Sequence, residues 1–560
     1  MNAERLLALY ERVAEAPDAI TRLRRFILDL AVRGKLVPQD SNDEPASELL
    51  KRIAKEKARL DRKERIKREP RSHDADAEPM QIPQGWALAP LADLVTVLNG
   101  RAYKQNELLS AGTPVLRVGN LFTSNKWYYS TLQLDEEKYC KKGDLIFAWS
   151  ASFGPFIWDG ERVIYHYHIW KLPLHSDADL SKLFLYNFLL QKTRQIKEAG
   201  HGISMIHMTK EKMEKIVVPL PPLAEQHRIV AKVDELMALC DRLEAARKDR
   251  EAKRDRLSAA SLARLNTPDP ETFTADARFT LEALPALTTR PNQIKQLRQT
   301  ILNLAVRGKL VLQDPNEEPA SELLKRIAKE KARLVKAGEM RIPKTVPLLF
   351  EAPFSVPPNW QWSQLSEIGI LNPRNTAADL LETSFVPMPM IAADYGLAHQ
   401  HEVRPWGEIK KGYTHFAEGD VGLAKITPCF ENGKSAIFRN LTGGIGAGTT
   451  ELHIVRPLSA HQDYILLFLK SPHFIQTGIP KMTGTAGQKR VPTEYFAYSP
   501  FPLPPLAEQH RIVAKVDELM ALCDRLEASL TTSDQTRTRL LEATLTEALS
   551  QTANDRPENR

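Results

Sequence analysis

A chain of 560 residues, 42% hydrophobic and 26% charged, is too long for one ordinary core and too apolar for a disordered one, so two or more globular domains are expected. No apolar run approaches the roughly 20 residues needed to cross a bilayer. The opening MNAERLLALYERVAEAP carries acids among its apolar residues and no small-residue cleavage site, which predicts a cytoplasmic protein with no membrane association. A net charge of +7 and a pI near 9.0 suit a polyanionic partner without identifying one.

Residues 1–81 read as helical. Leu23, Ile27 and Leu30 lie at 4-3 spacing and end before Gly34, a C-cap residue. EPASELLKRIAKEKARL follows as a second helix with Ser47 near its start. The basic stretch from Lys51 to Arg71 suits either phosphate or a solvated helix face. Residues 82–218 open with PQGWALAPLADL and show no helical repeat. At 219–265 comes a long helix. Pro219, Pro221 and Pro222 stop any preceding helix, and Glu225 in an early turn favours the macrodipole. Ile229, Val233, Leu236, Cys240 and Leu243 then follow at coiled-coil spacing. RKDREAKRDR, from Arg247 to Arg256, has no apolar seam and reads as solvated helix. A helix from Pro222 to about Arg264 would run on the order of 65 Å. Residues 266–291, rich in Pro, Thr and Asp, read as a linker.

The chain then repeats itself. The segment from Leu23 returns from Leu297 as LRQTILNLAVRGKLVLQDPNEEPASELLKRIAKEKARL, placing Leu297, Ile301 and Leu304 before Gly308 in residues 292–355. Residues 356–501 form a second variable region, opening with PPNWQWSQLSEI. PLPPLAEQHRIVAKVDELMALCDRLEA, from Pro219 to Ala245, recurs without a change from Pro502 to Ala528. This second long helix, 502–549, carries Ile512, Val516, Leu519, Cys523 and Leu526 along its seam, and 550–560 is a tail. Duplicated parts must make the same contacts twice, while parts that diverge must each recognise something different. The duplication therefore predicts two long helices lying antiparallel in a pseudo-twofold internal repeat, with the duplicated shorter helices packed around them.

A variable domain that closes with PLPPLAEQHRI before a long helix, the pair occurring twice, resembles the specificity subunit of type I restriction-modification systems. LAVRGKLV and EPASELL strengthen that resemblance, which spans the chain from Ile20 to Ala528. It implies an α+β fold class, two mixed α/β target-recognition domains separated by long antiparallel coiled-coil helices, each domain gripping one half of a split, asymmetric site in double-stranded DNA. It implies that the conserved helices set the gap between halves and dock two adenine methyltransferase subunits, which two motor-nuclease subunits then join. S-adenosylmethionine, ATP and Mg²⁺ would belong to those partners, leaving this chain without a cofactor.

Candidate DNA contacts follow from side chains that suit phosphates and base edges. In the first domain they are Arg101, Tyr103 and Lys104 in NGRAYKQNE, and Arg117 and Asn120, with Lys126, beside Trp127 and Tyr128. Ser204, with His201 and His207, and Lys210 lie in GHGISMIHMTKEK. In the second domain they are Lys425, Thr427, Asn432, Lys434 and Arg439, the cluster Lys410, Lys411 and Tyr413, and above all Gln488, Lys489 and Arg490 in GTAGQKRVP, a loop that the resemblance places at the DNA. Trp86 and Trp360, at matching positions, read as core anchors.

Chemistry of the chain's own is not legible. There is no Asn/Asp-Pro-Pro-aromatic motif; GGIGAG at Gly443 lacks GxGxxG spacing and reads as a loop of close backbone approach, and Pro428 stands where a P-loop before ENGKS needs glycine. Cys140, Cys240, Cys429 and Cys523 form no CxxC pair, and the pairs His166/His168 and His399/His401 lack partners at ligand spacing, so neither catalytic nor metal residues are assigned. Cys240 and Cys523 read as buried small hydrophobes. The competing readings are a coiled-coil scaffold whose variable domains bind proteins, and an enzyme with an unrecognised nuclease centre.

Overall fold

The computed structural model describes residues 14–63, 82–150, 153–199, 208–340, 352–485 and 487–550. The chain divides into two units, Met1–Asp249 with Asp534–Arg560, and Arg250–Ser533. Both are mixed α and β. None of the helices is long and apolar enough to cross a membrane among the described residues.

The first unit begins with α1 (Ala19–Val32) and α2 (Ala46–Lys63). α1 buries Ile27, Leu28 and Ala31 and stops at Gly34, whose φ of 65° lets Lys35 N–H donate back to the Leu30 carbonyl at 2.9 Å. Gly34 answers a second demand, since a Cβ there would lie 2.4 Å from Pro83 Cγ. The variable domain is closed by β1 (Ala87–Pro90) pairing antiparallel with β10 (Val217–Leu220), which brings its two ends together. Between them β2 (Leu98–Asn99), β3 (Thr113–Leu116), β4 (Tyr128–Ser130), β5 (Tyr139–Cys140), β6 (Leu145–Ala148), β7 (Gly154–Ile157), β8 (Val163–Tyr165) and β9 (Ile169–Lys171) build two sheets of order β2-β9-β6-β7 and β4-β3-β8-β5. α3 (Lys182–Ala199) packs on β7 and α1.

The second unit has α6 (Pro291–Val306) and α7 (Ala320–Lys336) in place of α1 and α2. Its variable domain is closed by β11 (Gln361–Ser363) and β20 (Phe501–Leu503). Inside it, β12 (Gly369–Leu371), β19 (Leu452–Pro457), β16 (Val421–Ala424) and β17 (Ser435–Ile437) form one sheet in that order. The other runs β14 (Glu402–Pro405), β13 (Glu382–Val386), β18 (Ile445–Gly448), β15 (Thr414–Ala417). The two domains match strand for strand, down to the parallel pairs β3–β8 and β13–β18, although their sequences diverge.

The long helices are α4 (Leu223–Asn266) and α9 (Leu506–Ser550), of 44 and 45 residues. They start later than the duplicated sequence does, because its first residues complete β10 and β20 and the proline pair follows. In α4 Ile229, Val233 and Cys240 are buried, with Leu236 packed against them, in a core shared with Ile27, Leu49 and Ile53 of α1 and α2 and with Phe184 and Leu185 of α3. Leu243 is half-buried. In α9 Ile512, Val516 and Cys523 are buried, with Leu519 and Leu526 beside them, against Ile301, Leu323 and Ile327. Each seam is thus occupied by the shorter helices of its own unit, and each fully buried Ile contributes roughly 1.5–3 kcal/mol. Burial also pushes the Cys240 and Cys523 thiols up.

Both units close with the last turns of a long helix. In the first, Leu541 and Leu545 pack on Ala16 and Ala19, and Glu542 lies 3.5 Å from Arg22. In the second, Asn266 donates to Thr300 Oγ1 at 3.1 Å and receives Asn303 Nδ2 at 3.0 Å. Two local expectations differ from what is found. The stretch expected as a linker contains α5 (Phe273–Leu287), held by Arg264 and Thr272 on Asp276, with Thr280 and Leu287 turned inward. GGIGAG is not a loop but leads into strand β18. There the close approach is real, since a Cβ at Gly446 would stand 2.4 Å from the Ser384 carbonyl.

Candidate nucleic-acid interface

The PPLAEQ residues explain how each variable domain is held. Glu225 and Gln226, at 1% and 0% exposure, are buried in the first turn of α4. Glu225 stands in that first turn, as its place in the sequence predicts, and there it accepts Trp86 Nε1 at 3.0 Å and Gln39 Nε2 at 3.0 Å, tying domain, long helix and helical repeat together. Gln226 Oε1 accepts the Ser181 N–H at 2.8 Å. The second copy repeats this, with Glu508 on Trp360 (2.9 Å) and Gln313 (2.6 Å), and Gln509 on the His461 N–H (2.8 Å). Trp86 and Trp360 are core anchors, as expected from their matching positions. Burial holds the Glu508 carboxyl above its usual range, against the two bonds from Trp360 and Gln313 that favour its charge.

In the second domain, two segments some sixty positions apart in sequence are brought together. Thr483 and Arg490 exchange backbone bonds of 3.0 and 2.8 Å, making GTAGQKR a hairpin. The Thr427 N–H donates to the Lys489 carbonyl at 2.9 Å, and the Val491 N–H to the Lys425 carbonyl at 2.8 Å, so the hairpin is stitched onto AKITP. Buried His453 donates its Nε2–H to the Val491 carbonyl from below (3.1 Å), and burial holds its pKa down. Gly484, at φ 123°, is required because a Cβ would come within 2.9 Å of the Gln488 carbonyl. Gln488 and Lys489, beside the paired Arg490, are exposed. Arg490 is clamped by Glu451, with Nε to Oε2 at 2.9 Å and Nη2 to Oε1 at 2.8 Å. Lys425 belongs to this stitched segment and Asn432 is exposed, whereas Lys434 donates to the Met388 carbonyl at 3.2 Å, Lys410 to Asp379 at 2.6 Å, and Arg439 to Asp463 at 2.6 Å.

In the first domain, the backbone of Arg101 pairs with Tyr165 and Tyr167, and His166 N–H donates to Leu116, so NGRAYKQNE and LRVGN flank the same turn. Arg101 spends both terminal nitrogens on Glu107, at 3.1 and 2.8 Å. Burial raises the Tyr103 hydroxyl to about 12 and lowers His166 to about 4, so both stay neutral near neutral pH. Arg117 and Lys126 sit 5.1 and 5.3 Å from the Tyr128 ring centroid. Asn120 is occupied locally, accepting from the Arg117 N–H at 3.1 Å and donating to Lys126 at 3.0 Å. Lys104 is exposed, and Lys210 lies 3.8 Å from Glu214. Ser204, His201 and His207 lie outside the described residues.

Sequence reasoning missed Glu107, Glu451 and Glu508 and the partners of Glu225, because a carboxylate's type and position do not show which side chain it meets, whether six positions away, as for Glu107 and Arg101, or more than a hundred, as for Glu508 and Trp360. It also missed the aromatic group of Trp149, Tyr167 and His168, in which Trp149 Nε1 donates to the Tyr167 carbonyl at 2.8 Å. Among the described residues no group of three or more His, Cys, Asp and Glu side chains is placed to hold a metal ion.

Residues 83–253, the first variable domain with the start of α4, match the type I restriction modification DNA specificity domain. The chain is 55% identical over 276 residues to the EcoEI specificity subunit of Escherichia coli, covering 48% of this chain and 46% of that one. It is 52% identical over 257 residues to the EcoAI specificity subunit of the same organism, covering 45% and 44%. The aligned stretch is thus about half the length of these curated relatives. The HsdS subunit from Thermoanaerobacter tengcongensis aligns at 19% identity and a TM-score of 0.40, over 84% of this chain and 98% of that one. The likeness is thus to a specificity domain at the first variable region and, over about half the chain, to two specificity subunits of type I restriction enzymes with which it shares more than half of the aligned residues.

Proposed function

We propose that this chain reads double-stranded DNA at a bipartite, asymmetric site, one half to each recognition domain, and so directs adenine methylation and restriction carried out by partner subunits. One observation carries the reading: two domains of identical strand order have divergent sequences, while the parts that hold them, Glu225 with Trp86 and Glu508 with Trp360, are duplicated. Shared scaffolding with unlike surfaces is what two different half-sites require. The chain itself is non-catalytic and needs no cofactor. Two methyltransferase subunits dock on the duplicated helices with their S-adenosylmethionine, and two motor-nuclease subunits bring ATP and Mg²⁺ chemistry.

The test is methylation mapping of DNA from cells carrying the chain and its partners. Two short sequences separated by a fixed gap are expected, with modified adenines. A second chain, with one heptad inserted in register into α4 and α9, gains about 10 Å of helix in each. The gap is then expected to widen by about three base pairs at roughly 3.4 Å each while both half-sites stay the same. An unchanged gap would remove the spacer role, and methylation without a split site would remove the reading as a whole.

Exposed Lys489 supplies a further expected outcome. Lys489→Gln should weaken binding to all sequences alike, with the slope of log affinity against log salt shallower by about one unit, as for the loss of one phosphate contact. Titrations of the wild-type and variant complexes at several salt concentrations measure it.

A further inference from the structure

The two prominent arginine–glutamate pairs of the recognition domains differ in which edge of the guanidinium is spent. Arg101 uses both terminal nitrogens on Glu107. Arg490 instead gives Glu451 its side edge, Nε and Nη2, and a single further N–H, from Nη1 to the Gln488 carbonyl at 3.0 Å. Of the five N–H groups an arginine carries, the described residues take up three on Arg490, which leaves one on each terminal nitrogen. The side chain is 43% exposed and its clamp Glu451 only 22% exposed. It stands on a hairpin stitched to Lys425 and Thr427 at its base, next to exposed Gln488 and Lys489. A planar donor is therefore fixed by a carboxylate behind it while donors remain on its terminal edge. Such a fork matches the O6 and N7 acceptors of guanine in the major groove, the commonest specific contact of arginine with DNA.

Resting on the DNA reading above, we propose that Arg490 is a specificity-determining residue that reads a guanine in the half-site of the second domain, and that Glu451 is its positioning residue. Glu451 touches no base. It restricts the rotation of the guanidinium, so that the cost of ordering the side chain is met before DNA arrives.

The experiment uses the full chain assembled with its methyltransferase partner and a pool of split duplexes randomised across the second half-site. The wild-type complex is expected to select guanine at one position. Arg490→Gln should lower that preference by about 10- to 100-fold, the range of one good bidentate contact. Glu451→Gln should lower it part of the way at the same position. In both variants the half-site of the first domain should be read as before, which also shows that the variants are folded and assembled. A merely structural Glu451 would leave base preference unmoved. If Arg490→Gln weakened binding equally for all four bases, the contact would be to phosphate and the assignment overturned. If the wild type held no duplex at all, the DNA reading would fall and this assignment with it.

Discussion

Replacing residues 91–216 by the corresponding stretch of a specificity subunit is expected to change one half of the methylated sequence completely and to leave the other half and the gap untouched. The graft is clean for a physical reason. β1 and β10 pair from Ala87 with Leu220 to Pro90 with Val217, so the two cut points already lie side by side. Pro83 and Trp86, which meet Gly34 and Glu225, stay in place. The new domain then inherits the old seat. The effect is large because a specific site is bound typically 10³–10⁷ times more tightly than unrelated DNA, so the old half-site should fall to background. Methylation mapping of the hybrid reads it directly. A hybrid that altered both halves would mean that the domains do not read separately.

What was legible beforehand follows the range of the interactions involved. Helix α4 was visible because its seam is local: Ile229, Val233, Leu236 and Cys240 repeat every three to four residues, and Pro221 and Pro222 mark where it can begin. Gly34 and Gly308 were visible as helix ends, and their φ of 65° and 66° agrees. The sheets were not visible. Strands of two to six residues such as β2 and β5 carry no period, and their partners, as β1 with β10, lie more than a hundred positions away. The same holds for the site. Charged and amide residues of GQKR could be picked out by type, but which arginine edge stays open is decided by Glu451, a residue that looks like any other acid in the sequence. Asn120 shows the converse: by type it suits a base edge, yet its amide is consumed by the backbone of its own turn. Side-chain type proposes a contact, and competition from neighbours decides it.

Removing the buried carboxylate at either seat is expected to cost stability heavily and to the same degree in the two copies. Glu225→Ala takes the acceptor from the buried Trp86 Nε1 and Glu508→Ala takes it from Trp360 Nε1, whereas Gln39 keeps the Gly34 carbonyl at 2.7 Å and Gln313 is exposed. A buried donor left unsatisfied costs about 1–3 kcal/mol, which is the loss expected of each variant. Glu508→Gln separates the charge from the packing. Burial raises the folded-state pKa of Glu508 above its ordinary 4.5, so its contribution to stability is fully present below that pH and is lost as pH rises through the raised value. The glutamine, always neutral, has no such loss. The stability deficit of Glu508→Gln relative to wild type should therefore be larger at pH 4 than at pH 7, whereas the alanine variant stays well below wild type at both. Denaturant unfolding followed by tryptophan fluorescence at the two pH values measures this. Alanine variants as stable as wild type would show that the duplicated glutamates do not hold the domains, and a seat that failed in one copy only would break the equivalence on which a repeated scaffold depends.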